Sequence, residues 1–355
     1  MDKNEPESKS SFSIEFDFKE ESQKKFPHDI GFPKDISKHS NNYFNATFHC
    51  LSNICDLVSS VIDAKNKDGN DNPFIYLLNK IVVGNNKQEE KEIMRSCIGS
   101  IKNYIFPDPK CEEECNNDPR KLIPLFMRDL ENNEILPEEI LIKFEKICSI
   151  CKTVTQLDEY LDVININNKY IKFDIPEILK YTHEKKIEEF TIYDCFEYYF
   201  DSLMKIEKSL DCSQCHKETN QTMRINKLPD ILFIFLYYDE QDKNCHFENS
   251  AYKFEENINF ERFKFISEDD RKKKYVLTSM IACKNVGTDF ELFYTFSRIN
   301  NEENDENNRN YIIYNGSDIR KGLSIRNKMK KDKIDFRNKK QSWPYVLVYK
   351  NIGDN

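Results

Sequence analysis

The sequence predicts an α+β fold, because the spacing of its apolar residues changes character along the chain. From Phe44 to about residue 148 the apolar residues recur at helical intervals, whereas after Leu228 they form aromatic and β-branched runs separated by polar loops. Two Cys-x-x-Cys pairs lie between these two parts. At 355 residues the chain can bury a full core, as one large domain or two ordinary ones.

The amino-acid composition indicates the cellular compartment and the kinds of partner to expect. Residues 1–30 are charged and poor in aliphatic side chains, which predicts a polar tail with little structure of its own. We see neither a secretory signal nor an apolar stretch long enough to span a bilayer, so we expect an intracellular protein without a membrane partner. The twelve cysteines then indicate reduced thiols or metal ligands, and the net charge of −9 argues against general nucleic-acid binding.

The first predicted helix begins near Asn42. Its apolar residues recur at intervals of four and three and form one face, namely Phe44, Phe48, Leu51, Cys55 and Val58. Ser40, Asn41 and Asn42 precede this face, as N-cap residues do. A thiol at the start of such a helix would be favoured as the thiolate by the helix dipole. The chain has an amide there instead.

Further helices and strands follow in order. Helices are predicted at residues 73–82, 89–105 and 118–130, the last with Asp118 as its cap and Pro119 at its first position. Strands are predicted at residues 231–238, 275–283, 290–299, 311–314 and 345–349, with a hairpin loop at residues 300–310.

The two Cys-x-x-Cys pairs predict a structural zinc site. The spacing lets both sulfurs of a pair reach one ion, and Cys148, Cys151, Cys212 and Cys215 together supply the four thiolates of a tetrahedral site. A redox pair would need a thioredoxin-like βαβ setting, and chance spacing is the remaining alternative; zinc is favoured over both. A closed four-sulfur site is structural and implies no zinc chemistry.

The segment Tyr43-Phe-Asn-Ala-Thr-Phe-His-Cys-Leu51 resembles the start of the ubiquitin-specific protease (USP) domain, whose motif is Asn-x-Gly-Asn-Thr-Cys-Tyr-x-Asn-Ser/Ala-x-Leu. The run that begins Leu228-Pro-Asp-Ile-Leu and the closing run Trp343-Pro-Tyr-Val-Leu-Val-Tyr349 are also similar to USP strands. The resemblance implies one USP-type, papain-like domain over residues 31–355. Its parts would be a helical thumb at 37–140, zinc-tipped β fingers at 141–227 and an antiparallel β palm at 228–350.

The same resemblance implies that the catalytic positions are degenerate. The family's cysteine falls on Asn42, its histidine on Leu292, its orienting acid on Asn315 and its oxyanion asparagine on Ser37. No histidine lies beyond residue 246. Neither an amide nor an aliphatic side chain at the first two positions can generate a thiolate or hold its proton, so we expect no catalytic residue at this site.

The function implied is therefore that of an inactive USP-like protein that acts as a protein-binding scaffold. Within the family the likeness is to the inactive USP-like branch of the spliceosomal tri-snRNP, which implies pre-mRNA splicing partners and the nucleus rather than the cytoplasm. The alternative is an active ubiquitin carboxyl-terminal hydrolase with a displaced nucleophile. Cys50 and Cys55 are on the apolar side of the first helix and are predicted to be core cysteines, and His49 and Cys50 point about 100° apart.

Two segments of the sequence bear on possible binding partners. Residues 320–340 are rich in lysine and arginine, and a solvated loop between palm strands is favoured over a site for RNA or an acidic partner. Glu291, Leu292 and Phe293 occupy the turn beside which the family threads the ubiquitin tail. Side chains of that size should fill the channel, so we expect weak or no ubiquitin binding.

Overall fold

The computed structural model describes part of the chain, with gaps between its described segments. These are residues 42–54, 57, 118–132, 134, 136–137, 140–157, 168–184, 189–204, 209–212, 214–238, 251–253, 255–264, 266–284, 292–298, 311–315, 318–323, 333–335 and 343–353. The helices predicted at 73–82 and 89–105 lie outside them. Within the described segments no helix is both long and apolar enough to cross a membrane.

Five helices lie in the described segments. They are α1 Asn42–Ser52, α2 Pro119–Asn132, α3 Ile175–Glu184, α4 Ile192–Met204 and the short α5 Glu268–Arg271. The prediction for α2 is confirmed at its start: Pro119 is its first residue, and the main-chain N–H of Arg120 donates to Asp118 Oδ1 over 2.8 Å. The aspartate therefore caps the helix as its sequence position indicated.

Helix α1 is buried more completely than its pattern predicted. Phe44, Phe48 and Leu51 are buried, as expected for the apolar face. However, every residue from 43 to 52 is buried, including the polar Asn45 and Thr47 on the other side. The prediction of an amphipathic helix is therefore wrong, because the helix lies between α2 on one side and strands of a sheet on the other.

The main sheet, which we call the large sheet, carries the core. Along it the strands β13, β12, β11, β10, β15, β7 and β3 follow one another, and β9 pairs with β10. Their bounds are β3 Ile171–Asp174, β7 Ile231–Tyr237, β9 Asn257–Asn259, β10 Lys274–Lys284, β11 Leu292–Arg298, β12 Tyr311–Asn315, β13 Asp318–Leu323 and β15 Trp343–Asn351. The strands predicted from sequence at β7, β10, β11, β12 and β15 are confirmed to within a few residues.

Pairing in the large sheet is antiparallel with one departure from the predicted palm. The edge strand β3 runs parallel to β7, with Ile171 opposite Ile234 and Asp174 opposite Tyr237. This edge strand comes from the range 141–227 that was expected to form the fingers. In β7, six consecutive residues from Ile231 to Leu236 are buried, as expected for a strand covered on both faces.

A separate four-stranded sheet, which we call the small sheet, has the order β2, β1, β6, β5. Its strands are β1 Lys143–Cys148, β2 Val154–Leu157, β5 Ser209–Asp211 and β6 Glu218–Lys227. The central pair β1 and β6 is antiparallel, with Phe144 opposite Ile225 near one end and Cys148 opposite Gln221 near the other. Both hairpin turns, between β1 and β2 and between β5 and β6, therefore lie at the same end of the small sheet.

A third sheet has the order β14, β8, β4, formed by β4 Glu189–Thr191, β8 Ala251–Lys253 and β14 Lys333–Asp335. Strand β14 belongs to the basic segment 320–340, and part of β13 does too. The prediction of a simple solvated loop there is wrong for these residues, since Arg320 pairs with Ile313 and Lys333 with Lys253.

Candidate functional site

Helix α1 is held on the large sheet by a buried hydrogen bond. The hydroxyl of Thr295 in β11 donates to the main-chain oxygen of Ala46 over 2.7 Å. On the side of α2, the rings of Phe44 and Phe48 pack around Phe126, with centroid distances of 6.2 and 5.3 Å. These contacts fix the N-terminal half of α1 relative to β11, where the sequence places the degenerate catalytic positions.

The structure describes the main chain at three of the four degenerate positions. Asn42 is the first residue of α1, Leu292 is the first of β11 and Asn315 is the last of β12; Ser37 lies outside the described segments. Strands β11 and β12 are antiparallel, with Thr295 opposite Tyr314. The start of β11 and the end of β12 are therefore at the same end of the sheet. The roles assigned to these positions stay a prediction.

The thiol and imidazole inside α1 are both unreactive. Cys50 is fully buried, and burial raises the pKa of its thiol to about 12, an effect that a hydrogen bond with Ser279 only partly offsets. Burial lowers the pKa of His49 to about 3. At neutral pH Cys50 is therefore a protonated thiol and His49 is neutral, so neither meets the requirement for a thiolate paired with an imidazolium. Cys55 lies outside the described segments.

Burial of His49 predicts a pH-dependent stability. In the unfolded chain its pKa returns to about 6.5, so between pH 6.5 and 3 the unfolded state binds more protons than the folded state. The free energy of unfolding should therefore fall as the pH falls through this window, by about 1.4 kcal/mol per pH unit from this residue. Urea denaturation of His49→Gln from pH 7 to 4 should show a shallower decline than the wild type. Equal slopes would contradict the buried, neutral state.

Arg120, which no sequence pattern singled out, joins α2 to the large sheet. Its guanidinium forms a forked pair with Asp118, with Nε 3.0 Å from both carboxylate oxygens and Nη2 2.7 Å from Oδ2. Its Nη1 donates to the main-chain oxygen of Leu236 over 2.6 Å. Burial alone would lower the pKa of the guanidinium, but the charge of Asp118 and the hydrogen bonds to it raise that pKa above its ordinary value.

Aromatic rings complete the surroundings of Arg120. Its Cζ lies 4.6 Å from the ring centroid of Tyr237 and 4.1 Å from that of Tyr345, within cation–π range. The ring of Tyr345 in turn packs against Phe293 of β11 at 5.3 Å. One local signal was present in the sequence, since an arginine in the first turn of a helix opposes the helix dipole and requires a partner.

The four cysteines of the two pairs meet at the tip of the small sheet. Their sulfur atoms all lie within 4.8 Å of one another, with Cys148 3.9 Å from Cys215 and Cys151 3.6 Å from Cys212. Four thiolates bound to Zn²⁺ at about 2.3 Å would stand about 3.8 Å apart at the corners of a tetrahedron. The cluster can therefore hold a metal ion, and both its donor set and its size fit zinc.

The two knuckles share one backbone design. In the first, Cys148 N–H donates to Thr153 O and Lys152 N–H donates to Cys148 O. In the second, Cys212 N–H donates to Lys217 O and His216 N–H donates to Cys212 O. The residue after the second cysteine has a positive φ in both, 60° at Lys152 and 51° at His216.

This repeated geometry points to one purpose for both turns. A positive φ costs conformational energy at a residue that is not glycine, so two such turns facing each other indicate that the backbone is shaped to aim its sulfurs at a common point. Each knuckle is a turn between antiparallel strands, which is not the βαβ setting of a redox pair. The Thr153 hydroxyl, 3.1 Å from Cys151 Sγ, lowers the pKa of that thiol, which favours the thiolate that a metal needs.

Comparison with known proteins identifies the fold. No family model and no curated protein matches this chain. Among solved structures, the SAGA DUB module of Ubp8, Sgf11, Sus1 and Sgf73 bound to monoubiquitin matches with a TM-score of 0.57 at 12% identity, over 93% of this chain and 71% of that one. The same module bound to ubiquitin aldehyde matches with a TM-score of 0.55 at 12% identity, over 93% and 71%. A yeast SAGA DUB module with mutant Sgf73 matches with a TM-score of 0.52 at 13% sequence identity, over 93% of this chain and 70% of that one.

At these identities the likeness shows the fold alone. The chain has a USP-type α+β fold, in which helices pack against a large curled sheet and a smaller sheet carries a four-cysteine cluster. The fold class predicted from sequence is confirmed.

Proposed function

We propose that this protein is a catalytically inactive USP-like protein that acts by binding other proteins. The observation that carries the proposal is Asn42, which begins the central helix at the position where the USP motif has its cysteine. A carboxamide has no ionisable group that could become a nucleophile at neutral pH. Cys50, the cysteine within the same helix, is buried as a protonated thiol and does not replace it.

The remaining catalytic positions support the same proposal. Leu292 begins β11 where the family has its histidine, and an aliphatic side chain can neither accept nor return a proton. Asn315, at the end of β12, would be acceptable only as an orienting group for a histidine. The oxyanion position falls on Ser37, which lies outside the described segments.

We propose further that the fold binds ubiquitin weakly or not at all. The proposal rests on Glu291, Leu292 and Phe293, which correspond to the family's turn with a small residue; Leu292 and Phe293 begin strand β11 here. In support, the ring of Phe293 is buried and packs on Tyr345. Arg120 of α2 contacts the same Tyr345 ring and donates a hydrogen bond to the main-chain oxygen of Leu236 in β7. Helix α2 and the large sheet are therefore in direct contact beside Phe293.

The proposal also includes a structural metal ion and a single USP-like domain. We assign Zn²⁺ to the cluster of Cys148, Cys151, Cys212 and Cys215, as a structural ion that holds the two knuckles of the small sheet together. Residues 31–355 are proposed to form one USP-like domain behind a polar tail at 1–30. The thumb, finger and palm ranges predicted from sequence belong to this proposal.

The partners are proposed to be nuclear proteins. The sequence resemblance favours a spliceosomal complex and a role in pre-mRNA splicing. The structural neighbours favour protein partners in general, because Ubp8 is found there in a module with Sgf11, Sus1 and Sgf73. Affinity purification of the tagged protein should recover snRNP proteins. Recovery of chromatin subunits in their place would remove the splicing assignment and keep the scaffold.

Enzyme assays with ubiquitin separate the proposal from its alternative, an active hydrolase with a displaced nucleophile. The purified protein should not hydrolyse a fluorogenic amide at the ubiquitin C terminus, and calorimetric titration with free ubiquitin should show no saturable binding at micromolar concentration. Hydrolysis that disappears in Cys50→Ala would establish the alternative. Tight binding of ubiquitin without hydrolysis would overturn only the proposal that the channel for the ubiquitin tail is filled. The protein would then be a ubiquitin-binding protein without hydrolase activity.

A further inference from the structure

The four sulfurs of the metal cluster differ in their access to solvent. The first cysteine of each knuckle is buried, with Cys148 3% and Cys212 5% exposed. The second cysteine of each knuckle is more accessible: Cys215 is half-buried, and Cys151 is exposed. Access to reagents in solution therefore increases from the first to the second position, and Cys151 is the most open ligand.

The surface around Cys151 is also open. Ile150 and Val154, which lie on either side of it in the first knuckle, are 52% and 49% exposed. A further neighbour, Lys152, is exposed as well. A small polar oxidant can thus approach Cys151 from solvent.

Two close sulfur–sulfur contacts join the knuckles. Cys151 Sγ is 3.6 Å from Cys212 Sγ, whereas the other cross-knuckle contact, between Cys148 and Cys215, is 3.9 Å. Within the first knuckle, Cys148 Sγ accepts a hydrogen bond from the main-chain N–H of Cys151 at 3.4 Å. Cys212 Sγ therefore lies within reach of a modified Cys151, across the two knuckles.

We propose that Cys151 and Cys212 form a peroxide-sensitive pair that releases the metal on oxidation. The Cys151 thiolate attacks one oxygen of hydrogen peroxide, whose O–O bond breaks, giving a sulfenic acid at Cys151 and hydroxide. The Cys212 thiolate then attacks the Cys151 sulfur, the S–O bond breaks, and the departing hydroxide is protonated to water. The two sulfurs are oxidised by two electrons in total, and the peroxide is reduced.

The consequence is loss of the metal and a covalent link between the knuckles. A disulfide needs sulfurs about 2.05 Å apart, so both cysteines must leave their ligand positions. Two thiolates remain, which is too few for a closed tetrahedral site. The inference rests on the proposed metal and not on whether the protein hydrolyses ubiquitin, so either can fail without the other.

Peroxide treatment of the zinc-loaded protein tests the pair directly. Metal release, followed with a colorimetric chelator, should accompany the appearance of a disulfide between Cys151 and Cys212 in peptide mapping by mass spectrometry. A thiol reductant with added zinc should reverse both changes. Metal that stays bound under peroxide would overturn the proposal, and so would a disulfide that joins Cys148 to Cys215 or Cys148 to Cys151.

Matched histidine variants isolate the position. Cys151→His and Cys215→His each leave three cysteines and one histidine, a ligand set found in structural zinc sites. Cys151→His should keep its metal under peroxide, whereas Cys215→His should release it as the wild type does. Protection by Cys215→His alone would contradict the assignment. If either variant fails to bind metal, the peptide map of the peroxide-treated wild-type protein tests the proposal by showing which two cysteines are joined.

Discussion

Removal of the proposed zinc from the four-cysteine cluster is expected to unfold the tip of the small sheet and leave the large sheet folded. Among residues of the small sheet whose burial is described, the buried apolar side chains other than cysteines are Phe144 and Ile225, which face each other away from the knuckles. We therefore expect the folding of the tip to depend on the proposed zinc. Structural zinc contributes about 10 kcal/mol or more to folding in small metal-bound units.

Hydrogen exchange with mass spectrometry measures this directly. After chelation, amide protection should be lost at the tip, in residues 147–154 and 211–221, and retained in β7, β10 and β15. The variant Cys212→Ser should reproduce the effect of the chelator, because it removes a buried ligand. Cys283→Ala is a matched control, since Cys283 is buried in β10 and contributes no ligand to the cluster. Protection of the tip that survives chelation would contradict the structural role of the metal.

The second large effect is expected at Arg120. Replacement of Arg120 by methionine should lower the free energy of unfolding by about 3–5 kcal/mol, the range for removing one partner of a buried ion pair. The substitution leaves Asp118, whose side chain is 13% exposed, without its counter-charge. It also removes the hydrogen bond to Leu236 O and the cation–π contacts with Tyr237 and Tyr345.

Urea denaturation with a double-mutant cycle separates these contributions. Arg120→Met combined with Asp118→Asn should be less destabilised than the sum of the two single variants, because the second change removes the uncompensated charge. Arg128→Ala is the matched control, since Arg128 lies exposed on the same helix and its loss should change stability by less than about 0.5 kcal/mol. An Arg120→Met variant as stable as this control would show that the contacts of Arg120 with Asp118, Leu236 and the two tyrosine rings contribute no net stability.

Elements with strong local signals were predictable from the sequence. The start of α2 followed from Asp118 and Pro119, whose side chains determine a helix N-terminus without help from distant residues. Strand β7 followed from its uninterrupted apolar run. The meeting of the four cysteines could be predicted from their spacing, because two sulfurs separated by two residues can reach one ion wherever the knuckle lies in the fold.

Features that depend on distant contacts were not predictable. Arg120 meets the oxygen of Leu236, 116 residues later in the chain, and no local pattern contains that pair. Strand β3 pairs with β7 from within the predicted fingers, because its partner, not its own four residues, decides where it adds to the sheet. Full burial of α1 was missed because Asn45 and His49 are polar by type, yet both are covered by the fold.

We propose that the USP-type fold of this chain carries no active thiol at the start of helix α1. The measurement that tests it most directly is incubation with ubiquitin bearing a C-terminal electrophile, followed by intact-mass spectrometry. We predict that the protein remains at its unmodified mass under conditions that fully label an active deubiquitinase. An adduct of one ubiquitin, blocked by prior thiol alkylation and mapped to a single cysteine, would contradict the claim.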